Sequence, residues 1–365
     1  MDKDHIIVGI SHGDINGIGY EVIIKSLMDS RVMDNITPVV YGSPKVAAYH
    51  RKALNINNFS FNNINDASEA SHKRANIINC LDDDVRVELG KSTAMAGESA
   101  IIPLEAAVSD LMEKKIDVIV TAPINKYNIQ SETFNFPGHT EYFMDRFGVE
   151  DVLMLLVTEN LRVGVVTGHL PLREISAALS VDKIMKKIRI MDHSLSVDFG
   201  IRKPRIAVLS LNPHSGDSGL LGDEEQEIIM PAIDQAAGEG ILAFGPYPSD
   251  GFFGSGSYKA FDGILAMYHD QGLTPFKALA LGEGVNFTAG LPVIRTSPSH
   301  GTAYEIAGQG EASEDSFRNA LYLACDIYRN REMHREINSK PLKHHDLDPR
   351  SETPDELPPD DNNNH

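Results

Sequence analysis

The sequence predicts an α/β protein built on a mixed sheet. Short apolar runs alternate with segments whose apolar residues recur at helical spacing, the pattern of strands interleaved with helices. Those runs end in loops rich in Gly, Pro and Asn, where an α/β sheet carries its chemistry. No internal repeat and no apolar stretch near the ~18 residues of a membrane span interrupts this pattern. At 365 residues the chain exceeds the size at which one core keeps growing, so two domains are expected.

The elements follow in order. Residues 5–10 read as a strand, SHGDINGIG as a loop, and 20–30 as a helix with Val22, Ile23, Leu27 and Met28 on one face. A second strand at 37–41 and a helix at 43–54 precede the Asn-rich stretch NINNFSFNNINDASEA, expected as a loop or irregular edge. Residues 98–114 form a helix with Ala106, Ala107 and Leu111 together, feeding a strand at 117–121 that ends in TAPINK. The runs 153–158 and 162–167, separated by Glu159 and Asn160, read as a hairpin. A helix at 180–199 starts at the Ser180 cap, a strand follows at 205–211 and a helix at 224–239. Short apolar segments lie at 264–267 and 293–295. A long helix spans 313–336, with Ser313 as cap and Glu314 and Asp315 in the first turn, where the dipole favours acids.

Bulk properties exclude several functions. Apolar content of 42% and charged content of 23% describe an ordinary globular protein. A net charge of -19 argues against wrapping nucleic acid or resting on an anionic membrane, though a local positive pocket is compatible with it. Two cysteines, Cys80 and Cys325, are too few for a cysteine metal site, and a reducing compartment is expected. MDKDHIIVGI lacks a signal-peptide pattern, and the expected location is the cytoplasm. The stretch 344–365 carries seven acids, one arginine and four prolines, the composition of an acidic disordered tail.

Three histidines stand where apolar runs break into loops: His169 in VVTGHLPL, His214 in LSLNPHSGDSG and His269 in LAMYHDQGL. Neutral imidazole is the commonest protein ligand of a divalent metal, and three in similar context suggest one site assembled from distant loops. Each alone also fits a half-buried ring bonded to a backbone carbonyl. His139 in FPGHTEYF is a fourth candidate, with Thr140 and Glu141 equally suggestive of substrate contact. Lys126, Lys277 and Arg295 stand beside turns and suit an anionic ligand, or internal ion pairs; Arg295 can fork onto a carboxylate or phosphate. Asn286 in GVNFTAG adds a neutral donor and acceptor. Gly13, Gly17 and Gly19 are spaced GxxxGxG, neither GxGxxG nor a P-loop, so this loop reads as a tight turn or the wall of a substrate cleft rather than as a dinucleotide site. In SHGTAYEIAGQG, the amides beside Gly301, Thr302 and Ala303 can hold a phosphate-bearing cofactor, or form a plain loop.

Together GDINGIGYE, TAPINK, FPGHTE, TGHLPL, LNPHSGDSGLLGDEE, GPYPSDGFF, MYHDQGL, VNFTAGLPVIRTSPSHGTA and IAGQG resemble the 4-hydroxythreonine-4-phosphate dehydrogenases of vitamin B6 biosynthesis, in consistent order over roughly residues 5–335. The resemblance implies an isocitrate/isopropylmalate dehydrogenase-like fold, not a Rossmann fold. It places two α/β domains around a cleft (1–125 with 300–343, and 126–299), and a homodimer with its site at the subunit interface. It implies His169, His214 and His269 as ligands of a divalent metal (Zn, Co, Mn or Mg), drawn from both subunits. His139, Thr140, Lys277, Asn286 and Arg295 become substrate binders. Residues His300, Gly301, Thr302 and Ala303, with Ile306 and Gly308, become the NAD site. The family oxidises 4-phosphooxy-L-threonine with NAD and releases carbon dioxide to give 3-amino-2-oxopropyl phosphate. The metal is expected to polarise the substrate hydroxyl and stabilise the enolate of decarboxylation. Asp270 is a candidate catalytic acid or orienter of His269, and Lys126 a candidate for proton transfer.

Asp14, Ile15 and Asn16 depart from the family's usual proline-bearing first loop, and Tyr20 replaces a usual proline, which bears on substrate choice. The nearest alternative is a 4-phospho-D-threonate or 4-phospho-D-erythronate dehydrogenase, differing at the C2 substituent. A metal-dependent hydrolase or lyase, or a non-enzymatic binder of small anions, would use the same cluster without nicotinamide.

Overall fold

A computed structural model describes residues 5–130 and 134–339. The acidic stretch 344–365, and 340–343 at the end of the first expected domain, lie outside the described residues. Among those described, twelve strands form one sheet. In chain order they are β1 (Ile6–Ser11), β2 (Ile36–Gly42), β3 (Asn62–Ile64), β4 (Asn76–Asn79), β5 (Val118–Thr121), β6 (Leu153–Val157), β7 (Arg162–Val165), β8 (Arg205–Leu209), β9 (Leu242–Tyr247), β10 (Gly263–Ala266), β11 (Val285–Ala289) and β12 (Arg295–Pro298). Their spatial order is β3-β4-β2-β1-β5-β12-β11-β6-β7-β10-β8-β9. The first six run parallel, as do the last four. The two blocks join through antiparallel pairings of β12 with β11, β11 with β6, and β6 with β7. This is the mixed α/β sheet expected, and the order differs from that of a Rossmann sheet.

Both faces are covered, as parallel strands require. In β5, Val118 and Val120 belong to one core with Ile10, Leu155 and Phe287, while Ile119 packs with Leu104, Val108 and Phe143 on the opposite face. In β8, Ile206 and Val208 join the first core, and Ala207 and Leu209 a third with Val163, Ile264 and Phe276. The long helix Asp315–Ser339 lays Phe317, Leu321 and Ala324 against the first core.

Side-chain caps anchor the helix starts, at Ser180 as expected and also at Ser43 and Thr93. Ser43 caps Pro44–Ala53 by accepting from Val46 N, and Ser180 caps Val181–Val197 by accepting from Lys183 N at 3.2 Å. Thr93 caps Ala94–Met112, so that helix starts earlier than the expected residue 98. The helix expected over 224–239 opens as a π-helical turn, Glu225–Ile229, and continues as Met230–Gly238.

Several expectations shift. The short apolar segment at 293–295 leads into a strand, β12, that begins at Arg295. His269 does not sit in a loop but opens the helix His269–Ala280, which carries Lys277 in its last turn, and His139 opens the helix His139–Arg146. β3, β4, β9 and β11 were not anticipated. β3, at the sheet edge, and β4 beside it are short, Asn-rich strands whose pairing supplies what their composition lacks. β11 does carry a legible alternation, with Val285, Phe287 and Ala289 all buried in the first core. Among the described residues no helix is long and apolar enough to cross a membrane.

Candidate active site

The switch from parallel to antiparallel pairing opens a cavity of about 250 Å³ at the middle of the sheet. Its walls come from the segment after β5 (Lys126), the start of helix His139–Arg146 (His139, Thr140, Glu141), β6 (Met154, Leu156), the segment after β7 (His169) and helix His269–Ala280 (His269, Leu273, Lys277). β11 adds Asn286, and β12 with its following loop adds Arg295, Ser297, His300 and Gly301. Asn286 and Ser297 face each other across the β11–β12 pair.

Arg295 is 3% exposed and sits in a strand core, an expensive place for a cation. Nε and Nη2 both donate to Thr121 Oγ1, at 3.1 and 2.7 Å. Nη1 donates to Thr288 Oγ1 at 3.2 Å, and Nη2 to His139 Nδ1 at 3.2 Å. A guanidinium has five N–H groups, so one Nη1–H is left over. Burial pushes its pKa down to about 10, opposed by the Glu141 charge. Among the described residues no carboxylate forms an ion pair with Arg295, Lys126 or Lys277. Among the described residues the cavity therefore holds three cations against the single carboxylate Glu141. An uncompensated buried charge is costly unless a ligand supplies the counter-charge.

The polar edges are also incomplete. Because Arg295 can only donate, His139 Nδ1 must accept, so the proton of the neutral ring lies on Nε2. That Nε2 is buried without a partner. Burial, with Arg295 and Lys126 nearby, holds the ring well below the ordinary histidine value, so it stays neutral. His300 Nδ1 donates to Gly301 O at 3.1 Å, leaving its buried Nε2 as an unpartnered acceptor. Asn286 Oδ1 is likewise buried and unpartnered. Unsatisfied buried polar atoms on one cavity wall are the signature of a ligand position.

His169 and His269 come together, with ring centroids 5.7 Å apart. Asp270 Oδ1 lies 2.7 Å from His269 Nδ1, so the carboxylate accepts from that nitrogen and leaves Nε2 as the lone-pair donor, the usual preparation of a metal-binding imidazole. Lys126 Nζ donates to His169 Nε2 at 3.3 Å. Burial lowers the His169 pKa, helped by Lys126 and His269 and opposed by Glu141.

His214 does not line this cavity. It follows β8, which is separated from β7 only by β10, so all three histidines leave the same edge of one parallel block. It is exposed at the surface in a run of left-handed residues: φ is 51° at His214, 52° at Ser215, 77° at Gly216 and 43° at Asp217. Such a conformation costs ~1–2 kcal/mol per non-glycine residue, strain that persists only where the surroundings impose it. The buried Glu225 anchors the chain just before this run, accepting from Leu211 N and Asn212 N at 2.7 and 2.8 Å and from Asn212 Nδ2 at 3.0 Å. Among the described residues no three His, Cys, Asp or Glu side chains are grouped to hold a metal. Two imidazoles fit one, and the third expected ligand, His214, is not among the residues lining their cavity.

Gly301 lines the cavity, but Thr302, Ala303, Ile306 and Gly308 do not. Their loop packs on the glycine-rich first loop. Ile18 N donates to Thr302 O at 3.0 Å, and a Cβ on Gly17 would sit 2.7 Å from that oxygen. Tyr304 OH donates to Asp14 Oδ2 at 2.6 Å. Ala303 has φ 44°, strain in a second loop that the family resemblance marks as functional. Residues not singled out from sequence include Thr121 and Thr288, which hold Arg295, and Glu225, which holds the His214 loop. Only strand pairing brings the first two to Arg295.

Residues 34–324 match the family description "Pyridoxal phosphate biosynthetic protein PdxA". The chain belongs to the PdxA family. A 4-hydroxythreonine-4-phosphate dehydrogenase of Bacteroides thetaiotaomicron is 56% identical, with 94% of each chain covered. A protein of Oceanobacillus iheyensis provisionally named D-threonate 4-phosphate dehydrogenase is 39% identical, covering 88% of this chain and 97% of its own. The crystal structure of a Klebsiella pneumoniae 4-hydroxythreonine-4-phosphate dehydrogenase superposes with TM-score 0.78 at 35% identity, covering 88% of this chain and 99% of that one. The isocitrate/isopropylmalate dehydrogenase-like class expected through PdxA resemblance is thus the fold of this chain, and its relatives are named as dehydrogenases.

Proposed function

We propose that this PdxA-family chain is an NAD- and metal-dependent dehydrogenase of pyridoxal 5'-phosphate biosynthesis. It oxidises 4-phosphooxy-L-threonine, and the β-keto acid loses carbon dioxide to give 3-amino-2-oxopropyl phosphate. The observation that carries this reading is the surplus of cations in one cavity, Lys126, Lys277 and Arg295 against Glu141, beside two imidazoles. A substrate with a phosphate at one end and a carboxylate at the other supplies the missing negative charge.

When bound, the divalent cation supplies Lewis acidity and NAD the two-electron acceptor. His169 and His269 hold the cation, with Asp270 orienting His269. His214 of a second subunit completes the set, which explains why a single chain leaves it exposed in a left-handed conformation. Arg295 and Lys277 bind the anionic ends, and His139 Nε2–H donates to a substrate oxygen. Thr140 and Asn286 fix orientation, which keeps the reacting C3 close to the acceptor. Lys126 moves the proton of the C3 hydroxyl. The 300–303 loop, with Ile306 and Gly308 behind it, binds the dinucleotide through its amides.

The test is absorbance at 340 nm on adding NAD to chelator-stripped and metal-restored enzyme, with 4-phosphooxy-L-threonine and 4-phospho-D-threonate as parallel substrates. Metal-restored reduction of NAD on the aminated substrate is expected. Turnover of the hydroxylated acid alone makes the chain a threonate-type enzyme, and no reduction with either overturns the dehydrogenase reading.

A further inference from the structure

We propose that Glu141 reads the substituent at C2 of the substrate, accepting a hydrogen bond from an ammonium there and so setting the choice of an aminated over a hydroxylated four-carbon phosphate. This rests on the reading that the cavity takes such a phosphorylated acid.

Among the described residues Glu141 is the one carboxylate on a wall otherwise furnished with cations, neutral polar groups and apolar side chains. It forms no hydrogen bond and no ion pair among the described residues. Glu141 Oε2 and Lys126 Cε lie 3.6 and 3.5 Å from where a Cβ on Gly138 would be, so the two chains stand side by side over that glycine. It lines the same cavity as Arg295, His169 and His269, and its charge acts on both Arg295 and His169. A carboxylate left unpaired there opposes every anionic part of a ligand. A site shaped only for anions has no use for it, whereas a substrate carrying one ammonium does. Three cations and one carboxylate leave a formal surplus of two positive charges, matching a phosphate, a carboxylate and an ammonium taken together. A hydroxy acid has no such cation and would set its hydroxyl against a charged acceptor it can satisfy only by one neutral bond. An acid in the first turn of a helix also gains from the dipole, but that benefit is indifferent to which substrate is bound.

The experiment is steady-state kinetics of wild type, Glu141→Gln and Glu141→Asp on 4-phosphooxy-L-threonine and 4-phospho-D-threonate, with NAD and divalent metal saturating and a thermal melt of each variant. In E141Q, kcat/KM on the aminated substrate is expected to fall at least tenfold, mainly through KM, and to hold or rise on the hydroxylated one. E141D keeps the charge and should keep the aminated preference. Equal loss on both substrates, or an unmoved ratio, overturns the role of Glu141 while leaving the dehydrogenase reading intact. Wild type that oxidises only the hydroxylated acid, or neither, overturns the substrate reading and this assignment with it.

Discussion

Arg295 shows what a residue can reveal once its surroundings are known. From sequence it was one of three cations beside turns, equally suited to an internal ion pair. In the fold it is buried in a strand, held by two threonines and a neutral histidine, with no carboxylate among the described residues paired to it. Removing a buried, unpaired charge relieves the protein, while removing a ligand's partner harms binding. Arg295→Met should therefore melt at or above the wild-type temperature and lose roughly 100-fold in kcat/KM, the scale of a lost charge-assisted contact. A melt well below wild type would mean that the guanidinium serves structure.

At the scale of elements, the glycine-rich first loop proves to be a wall. Gly17 is glycine because Thr302 O occupies the space a side chain would take. Gly17→Ala should push the 300–303 loop away, raising KM for NAD several-fold with a modest loss of thermal stability; an unchanged KM would detach that loop from the dinucleotide. Behind the loop, His12 and His50 are fully buried, donating Nε2–H to Ser99 O at 2.8 Å and Ile15 O at 2.7 Å, with Tyr20 between the rings. Burial lowers both pKa values to about 4 from 6.5. The unfolded chain thus binds more protons between these values, and stability, fully present above pH 6.5, is lost as pH falls towards 4. Each ring contributes a slope of roughly 1.4 kcal/mol per pH unit in that window. Urea unfolding of His50→Asn between pH 7 and 5 should show a shallower acid decline than wild type, and an identical slope would remove His50 from the account.

For the whole molecule, the decisive feature is a sheet whose two parallel blocks meet through antiparallel strands, placing the cavity where pairing changes direction. His169 lines that cavity and His214 does not. If a second subunit supplies His214, inactive His169→Ala and inactive His214→Ala dimers should regain activity when unfolded together and refolded. Half the dimers are then mixed and each has one intact site, so about a quarter of wild-type turnover is expected. No recovery would place all three ligands on one chain.

Much of this was legible in the residues. Apolar runs and caps located β1, β2, β5 to β8 and most long helices, because burial periodicity and capping are local physics. Lys126, His139, His169, His269, Lys277, Asn286 and Arg295 stood out because polar side chains there interrupt or border apolar runs, although the fold puts several of them on helices and strands rather than in loops. What pattern does not encode is which strand lies beside which. The Thr121 clamp on Arg295 spans 174 positions of chain, and the Asp14–Tyr304 contact spans 290. Among the described residues, the absence of a paired carboxylate at Arg295, the solitary Glu141 and the absence of His214 from the cavity of its fellow histidines all depend on that order. Composition and periodicity act over a few residues, whereas the charge balance of a cavity is set by side chains that only long-range strand pairing brings together.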